Sequence, residues 1–102
     1  MAQVILSARL QDDFERIFDH LFQYAPDTAA DRIESIIAAL DVLASSPLIG
    51  RSVENGKREL VIATGTSGYL ALYRFVPELD TVFVLGVRSQ RELGFGSTDS
   101  RP

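Results

Sequence analysis

Apolar positions recur along the first half of the chain with the period of an α-helix. The first stripe repeats at spacings of three and four residues, which is typical of one face of an amphipathic helix. Its members are Phe14, Ile17, Phe18, Leu21 and Phe22. We expect this helix to begin after Ser7, a candidate N-cap, and to end near Tyr24 and Ala25. Pro26 supports that end, because proline disfavours helical geometry in the residue before it.

A second stripe predicts a second helix close behind the first. Its members are Ile33, Ile36, Ile37, Leu40, Leu43 and Ala44. Asp27 or Thr28 can cap its start, and the helix is expected to stop at residues 45–47, which read Ser-Ser-Pro. Because only a few residues separate the two helices, they should pack as an antiparallel hairpin whose apolar stripes share one target.

Short runs of β-branched and aromatic residues predict four strands, at residues 2–7, 58–64, 69–76 and 81–87. The last three strands are joined by short turns, which implies an antiparallel meander. The order β-α-α-β-β-β predicts an α+β domain with the helical hairpin packed on one face of a small, mainly antiparallel sheet. Residues 1–95 form this single domain, and the polar tail at 96–102, which lacks an apolar anchor, is expected to be mobile.

Composition and charge restrict the classes of function. The chain has 102 residues, 46% hydrophobic and 24% charged, which suits one globular domain. It has no cysteine, no signal-peptide pattern and no apolar run near the roughly 20 residues of a membrane span. We therefore expect a cytoplasmic protein without disulfides or a membrane partner. The net charge of −4 and the pI near 4.8 disfavour nucleic-acid binding, including direct sequence-specific binding.

The sequence offers no legible catalytic or metal-binding constellation. His20 lies away from the apolar stripe of its helix, and no other ligands stand at matching spacing, so neither a metal nor a cofactor is expected. The adjacent Asp12 and Asp13 fit ordinary compensation of the helix dipole better than a pair of catalytic carboxylates. The glycine-rich residues 65–68 join two strands, which favours a hairpin turn over a phosphate-binding loop.

Residues 88–95 carry two arginines, a glutamate, a glycine and an aromatic directly after an apolar strand. Such a run is either the solvated end of an edge strand or an anchoring patch for a partner, since arginine and aromatic residues dominate binding hot spots. The residues alone leave these two interpretations open.

Four short motifs in order resemble the RelE/ParE toxin superfamily, from about residue 3 to residue 95. Residues 43–51 match L-x-x-x-P-x-x-G-R, and residues 58–60 match R-x-L. Tyr69 and Tyr73 match Y-x-x-x-Y, and residues 87–95 resemble I-R-H-x-R-E-x-G-Y, the ending of the ParE branch. The resemblance implies a RelE/ParE-like fold for the domain at 1–95 and the toxin of a type II toxin–antitoxin system.

The superfamily contains ribosome-dependent ribonucleases, the RelE-like members, and ParE-like poisons of DNA gyrase. This sequence departs from the ribonuclease pattern at the positions where that branch carries cations and a C-terminal Tyr or His. The departures are Leu70 for arginine, Val61 and Ala63 for lysine, Ser89 for histidine and Phe95 for tyrosine, and only Arg91 matches a ribonuclease cation. The resemblance therefore implies a non-enzymatic inhibitor of DNA gyrase, acting on its A subunit, with an mRNA interferase or a non-toxic relic that keeps antitoxin binding as alternatives.

The same resemblance suggests partners and contact residues. It implies a hetero-oligomer with a ParD-like antitoxin whose flexible C-terminal segment folds over the helical hairpin and the sheet. The candidate antitoxin contacts are Phe14, Phe18, Tyr69 and Tyr73. The candidate target contacts are Arg88, Arg91, Glu92 and Phe95.

Overall fold

The computed structural model describes residues 1–64 and 67–90. In this part of the chain three helices follow the first strand, and four further strands follow the helices. In chain order they are β1 Gln3–Leu6, α1 Arg9–Tyr24, α2 Ala29–Leu40, α3 Val42–Ser45, β2 Arg51–Ser52, β3 Arg58–Thr64, β4 Ser67–Val76 and β5 Thr81–Ser89. Two 3-10 turns, Glu54–Gly56 and Pro77–Leu79, link strands in the second half.

The five strands form one mixed sheet in the order β1-β5-β4-β3-β2. β1 runs parallel to β5, whereas the other three pairings are antiparallel. The predicted α+β class and the mainly antiparallel sheet are confirmed. The parallel pair joins the first and last strands of the described chain, and β2 is a two-residue strand that the sequence pattern did not indicate.

Both helices differ in detail from the prediction. α1 starts at Arg9 with Ala8 before it, so the expected side-chain cap by Ser7 is wrong. The Ser7 carbonyl instead accepts the Leu10 amide at 3.0 Å, and the Ser7 amide donates to β5 at 3.0 Å. The predicted second helix is divided at Asp41 into α2 and the short α3.

The hydrophobic core lies between the helices and one face of the sheet. Its largest fully buried apolar side chains are Tyr73, Leu10, Ile36, Leu40, Leu43, Val82, Val84 and Val87. α1 packs against β5 and α2 against β3. No described helix packs on the opposite face, where Val61 is 61% exposed. We call that face of the sheet the open face.

A β-bulge in β5 decides which of its side chains reach the open face. Leu72 pairs with Gly86 and Tyr73 with Val84, so Leu85 has no partner in β4. The extra residue shifts the alternation of side chains by one position. As a result Val87 joins Val84 in the core, and Arg88 points to the open face.

Candidate functional site

A groove of about 720 Å³ runs between α1 and α2 and reaches the end of β1. We call it the hairpin groove. Apolar side chains form most of its wall: Leu6, Leu10, Phe14, Phe18, Ile33 and Ile37. Three carboxylates, Glu15, Asp19 and Glu34, stand along it. The groove is therefore an apolar trough with an acidic rim.

The hairpin groove exists because the apolar stripe of α1 is wider than the strip that the sheet covers. Leu10 and Ile17 are buried against β5, whereas Phe14 and Phe18 on the flank of the same helix are only half-buried. Across the groove Ile37 keeps 38% of its surface exposed, and Leu6 keeps 42%. Contiguous apolar surface of this kind usually marks an interaction site.

The four candidate antitoxin contacts fall into two separate places. Phe14 and Phe18 line the hairpin groove, where a partner can reach them. Tyr69 and Tyr73 are 3% and 0% exposed, so the expectation that their side chains present a surface to the antitoxin is corrected. They alternate with outward residues on β4 and belong to the core face of the sheet.

Tyr73 binds the loop that carries the P-x-x-G-R motif. Its hydroxyl accepts the Gly50 amide at 2.9 Å and donates to the Pro47 carbonyl at 2.7 Å. Arg58 donates to the carbonyls of Gly50 at 2.7 Å and Leu48 at 3.3 Å. These bonds fix the loop at residues 47–51 against the sheet. Residues from three of the recognised motifs therefore meet at one anchoring point.

A second groove, of about 600 Å³, lies on the open face. We call it the sheet groove. Its lining residues are Ile49, Gly50, Arg51, Glu59, Leu60, Val61, Leu70, Arg88 and Gln90. Val61, Leu70 and Arg88 follow one another directly across β3, β4 and β5, since Val61 pairs with Leu70 and Leu70 with Arg88.

The charges of the sheet groove stand beside an apolar centre. Arg51 donates to the Glu59 carboxylate at 2.6 Å, and both side chains lie at the β2–β3 side. Arg88, on the β5 side, is half-buried and donates to the Ser89 carbonyl at 3.2 Å. Of the predicted target contacts, Arg88 thus lies on the open face. Arg91, Glu92 and Phe95 lie outside the described residues, and their role stays a prediction.

The sequence analysis missed an ion pair between a buried aspartate and a partly exposed arginine that holds α1 to β5. Asp13 is 2% exposed, and its carboxylate accepts the Val87 amide at 3.0 Å and Arg16 at 2.9 Å. Arg16 also donates to the Val87 carbonyl at 3.3 Å. We call this pair the Asp13–Arg16 clasp. A sequence signal existed, because Asp13 stands three residues after Leu10 and four before Ile17, on the buried face of the helix.

The remaining chemistry of the described residues is sparse. His20 is exposed, with its ring 5.0 Å from the Tyr24 ring. The described part of the chain holds no cluster of three or more His, Cys, Asp or Glu side chains placed to bind a metal ion. Within residues 1–64 and 67–90, no helix is long and apolar enough to cross a membrane.

Comparison with known proteins matches the chain to toxins. Residues 4–94 match the family model of the ParE toxin of the type II toxin–antitoxin system parDE. Toxin RelE1 of Caulobacter vibrioides is 38% identical over 72% of this chain and 78% of its own. Toxin RelE3 of the same organism is 30% identical over 90% of this chain and 98% of its own.

The fold is likewise shared with solved toxin structures. The chromosomal ParDE system from P. aeruginosa superposes with a TM-score of 0.73 at 19% identity, covering 87% of this chain and 96% of that one. The intact E. coli RelBE toxin–antitoxin complex follows with a TM-score of 0.63 at 16% identity, covering 90% and 100%. At these identities the likeness concerns the fold alone.

Proposed function

Because the chain belongs to the ParE toxin family of type II toxin–antitoxin systems, we propose that it inhibits DNA gyrase by binding it. In this proposal the chain is not an enzyme, and a ParD-like antitoxin neutralises it in a hetero-oligomer in the cytoplasm. Toxin–antitoxin complexes among the proteins of the same fold support the antitoxin part.

The observation that carries the proposal is the apolar centre of the sheet groove. Val61 and Leu70 are cross-strand partners there, at two positions where ribonuclease members of the superfamily carry cations. Cleavage of RNA needs a group that moves a proton and cations that stabilise the phosphorane. Among the groove's lining residues no histidine is present, and Arg51 is neutralised by Glu59. An apolar patch beside Arg88 suits a protein contact better.

The decisive experiment is a supercoiling assay with purified DNA gyrase, with and without the antitoxin. We expect loss of supercoiling with accumulation of cleaved DNA, and recovery when the antitoxin is added. Folded chain that binds its antitoxin yet leaves gyrase fully active would contradict the proposal and favour a non-toxic relic.

Arg88→Ala is expected to weaken gyrase inhibition about tenfold or more, because an arginine beside apolar side chains is a typical hot spot. The measurement is the concentration of chain that halves supercoiling. Arg9→Ala is the matched control: it removes the same charge from an exposed position at the start of α1. If both variants inhibit like the parent chain, Arg88 makes no useful contact with the target.

Phe18→Ala is expected to weaken antitoxin binding about 10- to 100-fold, since truncation of a groove aromatic at a hot spot costs about 2 kcal/mol. Phe22→Ala is the control. The two rings stack at a centroid distance of 5.7 Å, so either substitution removes the stack, but Phe18 alone of the pair lines the hairpin groove. Calorimetric titration would measure both. Equal losses would show that the stack, rather than the groove, supports binding.

An mRNA interferase is the second candidate, and the names of the two Caulobacter relatives favour it. Arg88 would then supply one cation of the sheet groove. Cleavage of ribosome-bound mRNA by the purified chain, suppressed by Arg88→Ala, would support this candidate over the gyrase inhibitor.

A further inference from the structure

Asp13 is a buried carboxylate that the proposed function does not use. It is 2% exposed, and it binds Arg16 on its own helix and the Val87 amide on β5. Burying a charged side chain is costly unless the charge is paired and hydrogen-bonded, because water solvates it better than a protein interior does. Its partner on β5 stands directly before Arg88, the candidate target contact that lines the sheet groove.

The Asp13–Arg16 clasp takes the place of a strand neighbour at the end of β5. The pairing of β5 with β1 ends at Val84. Three residues further on, Asp13 accepts the Val87 amide at 3.0 Å, and Arg16 donates to the Val87 carbonyl at 3.3 Å. Side chains of α1 therefore bind both backbone groups of Val87, which a longer β1 would otherwise bind.

The other side of the same stretch is held by β4. Since backbone groups alternate sides along a strand, the N–H and C=O groups of Arg88 point towards β4, where Arg88 pairs with Leu70. The Gln90 amide donates to the Gly68 carbonyl at 3.0 Å. The backbone on either side of the Arg88 Cα atom is therefore fixed from two directions, although β5 has passed the end of β1.

The Arg88 side chain depends on this support. It stands on the open face, whereas its neighbour Val87 is fully buried on the helix side of the sheet. An arginine strengthens a protein contact most when it is fixed before binding, because less conformational freedom is then lost in the complex. Without the clasp the end of β5 would have β4 as its one strand neighbour, and weakly held ends of this kind open locally.

We propose that Asp13, acting through Val87, is a positioning residue for the target contact that Arg88 makes. The proposal rests on the binding function stated above, and it extends that function to a residue on the opposite side of the sheet. Asp13 touches no target itself, since it is buried between α1 and β5. Its loss therefore weakens inhibition through Arg88.

A purely structural role of Asp13 would give a different pattern of effects. A substitution that only lowers stability acts in the same way whether or not Arg88 is present, and an equally destabilising change elsewhere in the core does the same. A positioning residue matters only while the contact that it supports exists. A double-mutant cycle separates the two roles, because it measures whether two substitutions act independently.

The test is a double-mutant cycle between Asp13→Ala and Arg88→Ala, measured as the concentration of chain that halves supercoiling by gyrase. We expect Asp13→Ala to raise this concentration about fivefold in the parent chain, but less than about twofold when residue 88 is already alanine. An equal loss in the two backgrounds would overturn the proposal. Asp13→Asn should inhibit more strongly than Asp13→Ala, because its amide oxygen can still accept the Val87 amide.

Leu43→Ala is the matched control for stability. Leu43 is fully buried in α3, which packs against β1, and its truncation should destabilise the chain about as much as Asp13→Ala does. At a temperature at which every variant is folded, Leu43→Ala should inhibit gyrase like the parent chain. If it weakens inhibition as much as Asp13→Ala does, the loss follows stability and the proposal fails.

Hydrogen exchange tests the positioning in the absence of any target. The Arg88 amide faces β4, and Asp13→Ala should accelerate its exchange at least about tenfold more than the exchange of the Phe83 amide. Phe83 also faces β4, where it pairs with Arg74, but it lies beside β1 and before the clasp. Equal acceleration at the two positions would indicate a global loss of stability and would overturn the proposal.

These outcomes are separable from those of the gyrase proposal. If the folded parent chain leaves gyrase active, the gyrase proposal fails, and exchange at Arg88 still decides whether Asp13 holds this segment. If the chain inhibits gyrase and the two substitutions act independently, the target stands and the positioning role is overturned. Inhibition that Arg88→Ala leaves unchanged overturns that role as well.

Discussion

Asp13→Ala is expected to lower the free energy of unfolding by about 3 kcal/mol. The substitution removes the buried carboxylate that accepts the Val87 amide and the Arg16 guanidinium. A buried N–H without a partner costs about 1 to 3 kcal/mol, and breaking a buried ion pair costs about 3 to 5 kcal/mol. Because the Arg16 side chain is 39% exposed and can turn to water, the two costs do not add in full, and we expect a loss of about 3 kcal/mol, where the two ranges meet. Urea unfolding followed by circular dichroism measures the change.

Asp12→Ala provides the matched control for Asp13→Ala. Both carboxylates lie early in α1, but Asp12 is exposed, so its loss should cost at most about 1 kcal/mol through the helix dipole. Asp13→Asn should fall between the two, because its amide oxygen can still accept the Val87 amide. Equal stability of the Asp12 and Asp13 alanine variants would mean that the clasp contributes nothing beyond dipole compensation.

Gly50→Ala is expected to destabilise the chain by about 2 to 3 kcal/mol, as overpacking at a rigid site does. A methyl group on Gly50 would stand 2.6 Å from the Glu59 carbonyl oxygen and 2.7 Å from the Tyr73 hydroxyl. The first of these atoms is backbone of β3 and cannot move aside without shifting the sheet. Thermal unfolding of the purified variant would report the loss.

Tyr73→Phe tests the same anchoring point from the other side. Removing the hydroxyl takes away the partners of the Gly50 amide and the Pro47 carbonyl, but it also removes one of the atoms that a Gly50 methyl group would strike. The double variant should therefore lose less stability than the sum of the two single losses. Additive losses would show that contact with the tyrosine hydroxyl contributes nothing to the cost of the added methyl group.

Local signals in the sequence were sufficient to predict those boundaries of helices and strands that depend on neighbouring residues. Pro26 led to the end of α1 at Tyr24, and the predicted strand at 58–64 agrees with β3 Arg58–Thr64. The parallel pairing of β1 with β5 was not predicted. It joins segments more than 70 residues apart, and no short sequence pattern identifies such a distant partner strand. β2 has two residues, too few for any alternation to be visible.

In the candidate site, too, residues with local sequence signals were predicted, and residues that depend on distant partners were not. The apolar stripe of α1 led to Phe14 and Phe18, which line the hairpin groove. Tyr73 was assigned to a surface from a motif, although it alternates with outward residues on a strand, and the partner that its hydroxyl needs lies on a loop more than 20 residues away. Asp13 was assigned to compensation of the helix dipole, because its acceptor role depends on Val87, more than 70 residues further along the chain.

The bulge at Leu85 divides β5 into two segments whose side chains alternate in opposite register. Before it, even-numbered residues such as Val84 face the helices; after it, odd-numbered residues such as Val87 do. Deleting Leu85 would give one continuous alternation that keeps Val87 in the core and Arg88 on the open face, because Tyr73 already pairs with Val84 and Leu72 with Gly86. Within β5 the loss of one residue should therefore be tolerated best at the bulge, because a deletion elsewhere in the strand would turn the side chains on one side of it to the opposite face.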